Sequence, residues 1–235
     1  MQASGHRALF LLRLAALQLR HLRGFTRPTL VYQMGKVGSY SLYQSLRAVP
    51  GLDAFHVHRL HPDNIARVRA AHLRAGQTPV DDSLGYFLYQ RLICAPRQPI
   101  NVISLVRDPI SRNFSAYFEN LARLERREDA HNKIDIPTLI SNFFDKYRHE
   151  TPLQWFDKEI KCTLGIDVFA HDFLPQQGWC EINQGPVRLL ILRCELSNAE
   201  KQAQVKRFLD LEHFEIVNRN VGSSKPYASA YEDLA

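Results

Sequence analysis

A turn at residues 35–41 has the residue types and spacing best suited to binding an anion. An apolar run, Thr29 to Met34, leads into Gly35-Lys36-Val37-Gly38-Ser39-Tyr40-Ser41, and apolar residues then recur with helical spacing. A glycine turn between a strand and a helix directs backbone N–H groups and the positive end of the helix dipole at one point. The sequence therefore predicts a phosphate-binding turn that contains a lysine.

The position of the lysine separates this turn from the P-loop of nucleoside-triphosphate enzymes. In a P-loop the lysine follows the glycines, in the pattern G-x-x-x-x-G-K-[ST]. Here Lys36 precedes Gly38, and no P-loop pattern occurs in the sequence. An ordinary connection between a strand and a helix also explains a Gly-Lys-x-Gly turn, so the turn alone does not define a function.

A second candidate segment follows the apolar run from Pro99 to Val106. Arg107-Asp108-Pro109 ends this run, and helical spacing then places Arg112 and Ser115 on one helix face. Guanidinium groups beside a hydroxyl suit the oxygens of a phosphate. The alternative is plain helix capping by Asp108 and Pro109, with Arg112 and Ser115 in solvent.

Together, the two segments resemble the nucleotide-sulfate site of the sulfotransferases. Lys36-x-Gly38-Ser39-x-Ser41 is similar to their 5′-phosphosulfate loop, and Arg107-Asp108-Pro109-x-x-Arg112-x-x-Ser115 to their 3′-phosphate motif. The resemblance implies transfer of a sulfuryl group from 3′-phosphoadenosine 5′-phosphosulfate (PAPS) to an acceptor hydroxyl, without a metal. It requires the two strands to be neighbours in a parallel sheet, because ligands bind beyond the carboxyl ends of such strands.

The resemblance also implies roles for single residues. Lys36 would be catalytic, at the oxygen that bridges the sulfate and the 5′-phosphate, and Arg107 and Ser115 would hold the 3′-phosphate. The other residues of the implied PAPS site are Val37, Gly38, Ser39, Tyr40, Ser41, Arg112 and Lys225. Tyr40 departs from the family pattern, in which many members have a second Ser or Thr, and Ser41 is the candidate for that hydroxyl.

Segments in the second half of the chain resemble a bacterial group of capsular polysaccharide synthesis proteins. They are Trp155-Phe156-Asp157-x-Glu159, residues 165–169, Leu190-Ile191-Leu192-Arg193-x-Glu195 and Asn220-Val221 with Lys225 and Tyr227. This resemblance implies that the acceptor hydroxyl belongs to a glycan.

A general base must accept the proton of that hydroxyl. His58, after a predicted strand from Leu52 to Val57, is the first candidate, followed by His56 and His61. The ordinary pKa of histidine, near 6.5, suits this role. Strand alternation places His56 and His58 on one face, where a structural role is the alternative.

The charge distribution argues against a nucleic-acid partner. The formal net charge is +6, but residues 1–27 contain five arginines and no acidic residue, which leaves +1 for the other 208 residues. A nucleic-acid-binding protein is expected to have a basic face on its folded body.

Residues 1–27 form a basic leader before the domain at 28–235. His6, Arg13 and Arg20 recur every seven residues and leucines cover much of the remaining surface, which predicts an amphipathic helix. Its apolar run is too short to span a bilayer, and no secretory cleavage site follows. The segment packs on the domain as a helix, is partly disordered, or docks on a membrane surface or a partner, and we expect a cytoplasmic protein.

The order of predicted elements indicates one α/β domain with a central parallel sheet flanked by helices. The sulfotransferase resemblance implies a P-loop-like architecture for it. Beyond the strands above, the predicted elements are helices from Pro62 to Ala75, Leu84 to Cys94, Pro109 to Arg127, near Pro137, Thr151 to Gly165 and Ser197 to Asp210, a hairpin of Trp179–Ile182 with Val187–Arg193, and a last strand after His213.

The remaining features leave two other functions open. The four cysteines have no C-x-x-C spacing and predict neither a disulfide framework nor a metal site. The alternatives are a P-loop-type kinase, which would need a Walker lysine and carboxylates for Mg²⁺, and a non-catalytic scaffold that docks through its leader.

Overall fold

A five-stranded, mostly parallel sheet forms the centre of the molecule in the computed structural model, which describes residues 2–22, 24–125, 127 and 130–218. The strand order is β2-β1-β3-β5-β4, and only β4 runs antiparallel to its neighbour. The strands are β1 (Pro28–Tyr32), β2 (Asp53–Val57), β3 (Ile100–Val106), β4 (Trp179–Gln184) and β5 (Val187–Arg193). The prediction of one α/β domain around a parallel sheet is confirmed.

The helices cover the sheet and begin where the capping residues predict. They are α1 (Gln2–Arg20), α2 (Ser39–Arg47), α3 (Pro62–Arg74), α4 (Ser83–Leu88), α5 (Pro109–Glu119), α6 (Leu121–Leu124), α7 (Ala130–Lys133), α8 (Ile136–Lys146), α9 (Thr151–Trp155), α10 (Cys162–Leu164) and α11 (Asn198–Leu209). A π-helical stretch extends α4 over Tyr89–Cys94, and another joins α9 to α10 over Phe156–Lys161. Asp108 caps α5 through the Ser111 N–H, and Ser197 and Glu200 form the expected capping box.

The central strands are buried on both faces, as their continuous apolar sequences require. All five residues of β1 are buried, and β3 and β5 each have five buried residues out of seven. Strands covered by helices on both sides need apolar side chains in both directions, which is why these runs do not alternate. A smaller core between α5 and α8 contains Tyr117, Phe118, Leu121, Ala130, Leu139 and Phe143.

Two predicted elements are wrong in extent or type. The helix that begins at Pro109 ends at Glu119, because the Asn120 side chain donates to the Ala116 carbonyl (2.8 Å) and interrupts the helix before the short α6. The strand predicted after His213 does not form over residues 213–218. There the Val217 N–H donates to the Ser45 hydroxyl on α2 (3.0 Å), so this segment crosses a helix and has no strand to pair with.

The leader helix α1 lies against α4. Phe10 meets the edge of the Tyr86 ring, Arg13 pairs with Asp81, and Leu14 and Leu17 pack on the main core. Of the helices described, none is both long and apolar enough to cross a bilayer.

Candidate active site

The turns that follow β1 and β3 share one edge of the sheet. The chain leaves β1 toward β2 on one side, whereas β3 pairs with β1 on the other side, both in parallel. In such sheets a crevice opens where the strand order reverses. A site shared by the two predicted segments needs their strands to be neighbours, and the pairing of β1 with β3 satisfies that requirement.

The β1–α2 turn, residues 35–38, is held in an unusual conformation. Lys36 and Gly38 have positive φ angles of 74° and 71°, a conformation that L side chains rarely adopt. Two arginines from the β3–α5 side bind the carbonyls of the turn: Arg107 Nη1 lies 3.3 Å from the Lys36 oxygen, and Arg112 Nε lies 3.0 Å from the Gly35 oxygen. These bonds stabilise a strained turn, as is common at functional sites.

Arg112 is a buried cation. Only 7% of the residue is exposed, and its Nη1 donates to Asn113 Oδ1 (3.0 Å) and to the Tyr147 hydroxyl (3.3 Å). It forms no ion pair with any residue in the described part of the chain, and burial lowers its pKa. A buried charge without a counter-ion is costly, so an incoming anion would gain from it.

A buried hydrogen-bond network fixes the first residue of α2 to the second strand. Gln33 Nε2 donates to Ser39 Oγ (2.6 Å), and His56 Nε2 lies within hydrogen-bond distance of both Gln33 Nε2 (3.0 Å) and Ser39 Oγ (2.9 Å). The Ser39 hydroxyl is therefore engaged by His56. Burial, and secondarily the neighbouring His58, lowers the pKa of His56 to about 4, so His56 is neutral at pH 7.

The same network determines which nitrogen of His58 carries the proton. Its Nδ1 lies 2.9 Å from the Gln33 carbonyl oxygen, which can only accept a hydrogen bond. Nδ1 is therefore protonated, and the lone pair of the neutral ring lies on Nε2. Burial lowers the pKa of His58, so the imidazole is a neutral base at pH 7.

A cleft of about 1040 Å³ opens beside His58. Of the residues predicted for the site, Lys36, His58 and Arg112 line it. Ser39, Ser41, Arg107 and Ser115 do not, and Val37 is buried in the core while Tyr40 is 44% exposed. Lys225 lies outside the described residues. The structure thus brings Lys36, His58 and Arg112 together in one cleft, whose lining does not include Gly38.

The sequence reasoning gave no role in the site to two carboxylates, Glu119 beside Lys36 and Glu159 in the cleft lining. Lys36 Nζ lies 3.1 Å from Glu119 Oε2 at the end of α5, so the lysine has a carboxylate partner. Glu159, on the π-helical stretch, accepts from the Tyr32 hydroxyl and from the Leu60 N–H (3.0 Å), and burial raises the pKa of its carboxyl. Nothing in the sequence pairs these residues, because each contact joins distant segments.

A set of exposed cations lines the rest of the cleft, and we call it the basic wall. It consists of Arg67 and Arg74 on α3, Arg148 before α9, and Lys158 on the π-helical stretch. On α3 the lining residues Asn64, Arg67, Val68, Ala71 and Arg74 follow helical spacing, which was the one signal present in the sequence.

No metal centre is evident around these residues. Within the described ranges, no three His, Cys, Asp or Glu side chains are grouped so that they could hold an ion. All four cysteines are free thiols.

Comparison with known proteins adds one finding to this α/β fold. A family model described as "Putative capsular polysaccharide synthesis protein" (NKWYS) matches residues 129–235, which is less than half of the chain. That segment includes Arg148, Lys158 and Glu159, but not the β1–α2 turn, His58 or α5. No curated protein and no solved structure matches the chain.

Proposed function

We propose that this protein is a sulfotransferase that moves a sulfuryl group from PAPS to an acceptor hydroxyl. The observation that supports this best is the position of Lys36 in the β1–α2 turn. The lysine lines the same cleft as His58, whose imidazole is neutral at pH 7. Arg107 and Arg112 hold the turn through the carbonyls of Lys36 and Gly35. Pre-positioned cations and N–H groups are what an anionic donor needs.

The residues around the turn fit the two charged ends of PAPS. A 5′-phosphosulfate would contact Lys36, the backbone N–H groups of residues 36–38 and the first turn of α2. The positive end of the helix dipole adds to the charge of the lysine there. Arg107 and Ser115 would hold the 3′-phosphate, with Tyr40 and Ser41 beside the turn. The side chain of Val37 is buried, so this residue contributes only its backbone.

The chemistry requires a charge and a base, and the cleft has both. PAPS supplies the sulfuryl group and keeps the bridging oxygen with its 5′-phosphate. Lys36 neutralises the charge that develops on that oxygen when the S–O bond breaks. His58 Nε2 accepts the hydroxyl proton of the acceptor as the new O–S bond forms. The protonated state is disfavoured by burial, so His58 returns its proton readily to water.

A glycan is the acceptor that we propose. The family whose model matches residues 129–235 is described by capsular polysaccharide synthesis, and this segment contributes Arg148 and Lys158 to the cleft. A cleft of about 1040 Å³ has room for several sugar units beside the donor.

Calorimetry of nucleotide binding tests the donor. We expect 3′,5′-adenosine bisphosphate to bind more tightly than ATP, equally well with and without Mg²⁺. A preference for ATP with Mg²⁺ would favour a kinase, and binding of neither nucleotide would favour a scaffold. Transfer of radiolabelled sulfate from PAPS to a panel of hydroxylated glycans then tests the reaction itself.

A further inference from the structure

More cations line the cleft than Lys36 and Arg112, the two lining cations that were predicted to bind the donor. Seven cations line it, namely Lys36, Arg59, Arg67, Arg74, Arg112, Arg148 and Lys158, and only two carboxylates, Glu150 and Glu159. Two of the cations are neutralised: Lys36 by Glu119 at 3.1 Å and Arg59 by Asp82 at 3.0 Å. Five remain without a carboxylate partner in the described part of the chain.

The four cations of the basic wall have no carboxylate partner in the described part of the chain. Arg67 Nη2 donates only to the neutral amide of Asn64 (2.8 Å), and Lys158 donates to the amide of Gln154. No described residue forms an ion pair with Arg74 or Arg148. Arg74 lies in the last turn of α3, where a cation interacts favourably with the helix dipole, but within the described ranges no carboxylate pairs with any of the four cations. Their mutual repulsion costs free energy unless an anion is bound.

The arginines of the basic wall on α3 form a row along the helix. Arg67 and Arg74 stand two turns apart on α3, about 10 Å along the helix axis. Asn64 lies a further turn toward the helix start, and its side chain donates to the Lys158 carbonyl on the π-helical stretch. The two sides of the cleft are thereby joined at this end. Since α3 begins at Pro62, four residues after His58, Arg67 lies nearer than Arg74 to the end of the helix that follows His58.

We propose that the acceptor of this cleft is an anionic oligosaccharide, whose carboxylate or sulfate groups pair with Arg67, Arg74, Arg148 and Lys158 while one hydroxyl reaches His58. This inference specifies the acceptor of the proposed function, and it depends on that function because a binding site alone does not make the saccharide an acceptor. Arginine forks bind such groups in a bidentate manner, and several cations along one cleft raise the local concentration of an anion.

The lining favours an acidic glycan over a single-stranded nucleic acid. Nucleic-acid grooves of this kind present exposed aromatic rings on which bases stack. The two aromatic residues of the cleft are Trp155, which is 7% exposed and donates to the His58 carbonyl (3.3 Å), and Tyr147, whose hydroxyl binds Arg112.

Fluorescence anisotropy with labelled oligogalacturonate tests the proposal, with 3′,5′-adenosine bisphosphate present and absent. The comparison probes are a neutral malto-oligosaccharide of equal length and a single-stranded oligodeoxynucleotide of equal charge. We expect oligogalacturonate to bind most tightly and its Kd to rise as NaCl increases from about 0.1 M to about 1 M. Equal binding of the neutral sugar, or tighter binding of the oligodeoxynucleotide, would overturn the proposal.

Matched variants show whether the basic wall is the binding surface. In Arg67→Gln/Arg74→Gln the oligogalacturonate Kd should rise about tenfold, because two charge-assisted contacts are lost. The control is Arg47→Gln/Arg97→Gln, two exposed arginines near the opposite edge of the sheet, for which the Kd should stay constant. An equal loss in both variants would mean general attraction to a basic protein and would overturn the proposal.

Two further outcomes keep this proposal separate from the proposed function. If the wall binds oligogalacturonate as expected but the bisphosphate does not bind, the anionic-saccharide site stands and the sulfotransferase assignment fails. If the bisphosphate binds but oligogalacturonate shows no preference over the neutral sugar, only the acidic acceptor is overturned.

Discussion

The β1–α2 turn and the basic wall both present positive charge to one cleft, but they hold it differently. At the turn, arginines donate to backbone carbonyls, Lys36 pairs with Glu119, and a buried network from Gln33 fixes the first residue of α2. The cations of the wall are exposed and form no ion pairs within the described ranges. Under the proposed function, the turn would position the donor, and the wall would select the charge of the acceptor.

Replacement of His58, the proposed base, should give the largest effect. In His58→Asn the amide can replace Nδ1 as donor to the Gln33 carbonyl, but Nε2 is lost. We expect kcat of sulfate transfer to fall by about 10²–10⁴, with bisphosphate affinity unchanged. In the wild type, kcat should rise with pH through the lowered pKa of His58 and then level off, and the variant should lack this step.

His72→Asn is the matched control for this prediction, because His72 Nδ1 also binds a carbonyl, that of Val68 at 2.9 Å, and does not line the cleft. Its kcat should equal that of the wild type. Unchanged turnover in His58→Asn would exclude His58 as the base.

Lys36→Ala should separate charge from conformation at the turn. Loss of the ammonium group should reduce kcat by about 10²–10³, the usual cost of one well-placed electrostatic contact. Alanine at φ 74° bears a backbone cost similar to that of lysine, so the melting temperature should change little. Lys146→Ala, an exposed lysine on α8, is the control. Full activity in Lys36→Ala would remove the turn from the mechanism.

The buried network should make stability depend on pH through His56. Its pKa is lowered to about 4 in the folded protein against 6.5 unfolded, so the unfolded chain binds more protons as the pH falls. The stability present above pH 6.5 is lost toward pH 4, by about 3 kcal/mol in total. Urea unfolding at several pH values measures this loss, and His56→Gln should reduce it.

His171→Gln serves as the control for that series, since this histidine is exposed. A pH dependence that is the same in His56→Gln and in the wild type would show that the network does not store this free energy.

Glu119→Gln should have the smallest effect and the opposite sign. The carboxylate competes with an incoming anion for Lys36, and an exposed ion pair contributes only about 0.2–1 kcal/mol. We therefore expect affinity for 3′,5′-adenosine bisphosphate to rise by about two- to fivefold in calorimetry. Glu215→Gln, away from the cleft lining, should leave it unchanged, and weaker binding in Glu119→Gln would contradict the competition.

The fold was largely predictable because its signals are local. Buried parallel strands need continuous apolar runs, and the helix caps at Asp108 and Ser197 are recognised within four residues of sequence. The segment after His213 is the instructive failure. Its sequence resembles a strand, but the Ser45 hydroxyl takes the Val217 N–H, and no local pattern announces which surface a segment will cross.

The sequence by itself determined that the β1–α2 turn contains a lysine between two glycines, because the turn is formed by consecutive residues that follow a strand. Tertiary structure alone decided the rest of the site. It brings the Glu119 carboxylate within 3.1 Å of Lys36 Nζ, and it pairs His58 Nδ1 with a carbonyl so that Nε2 keeps the lone pair. Burial in the folded protein also lowers the pKa of His56 and of His58. It also brought Arg148 and Lys158 opposite α3. Burial and long-range contact depend on the packing of distant segments, and residue spacing does not contain that information.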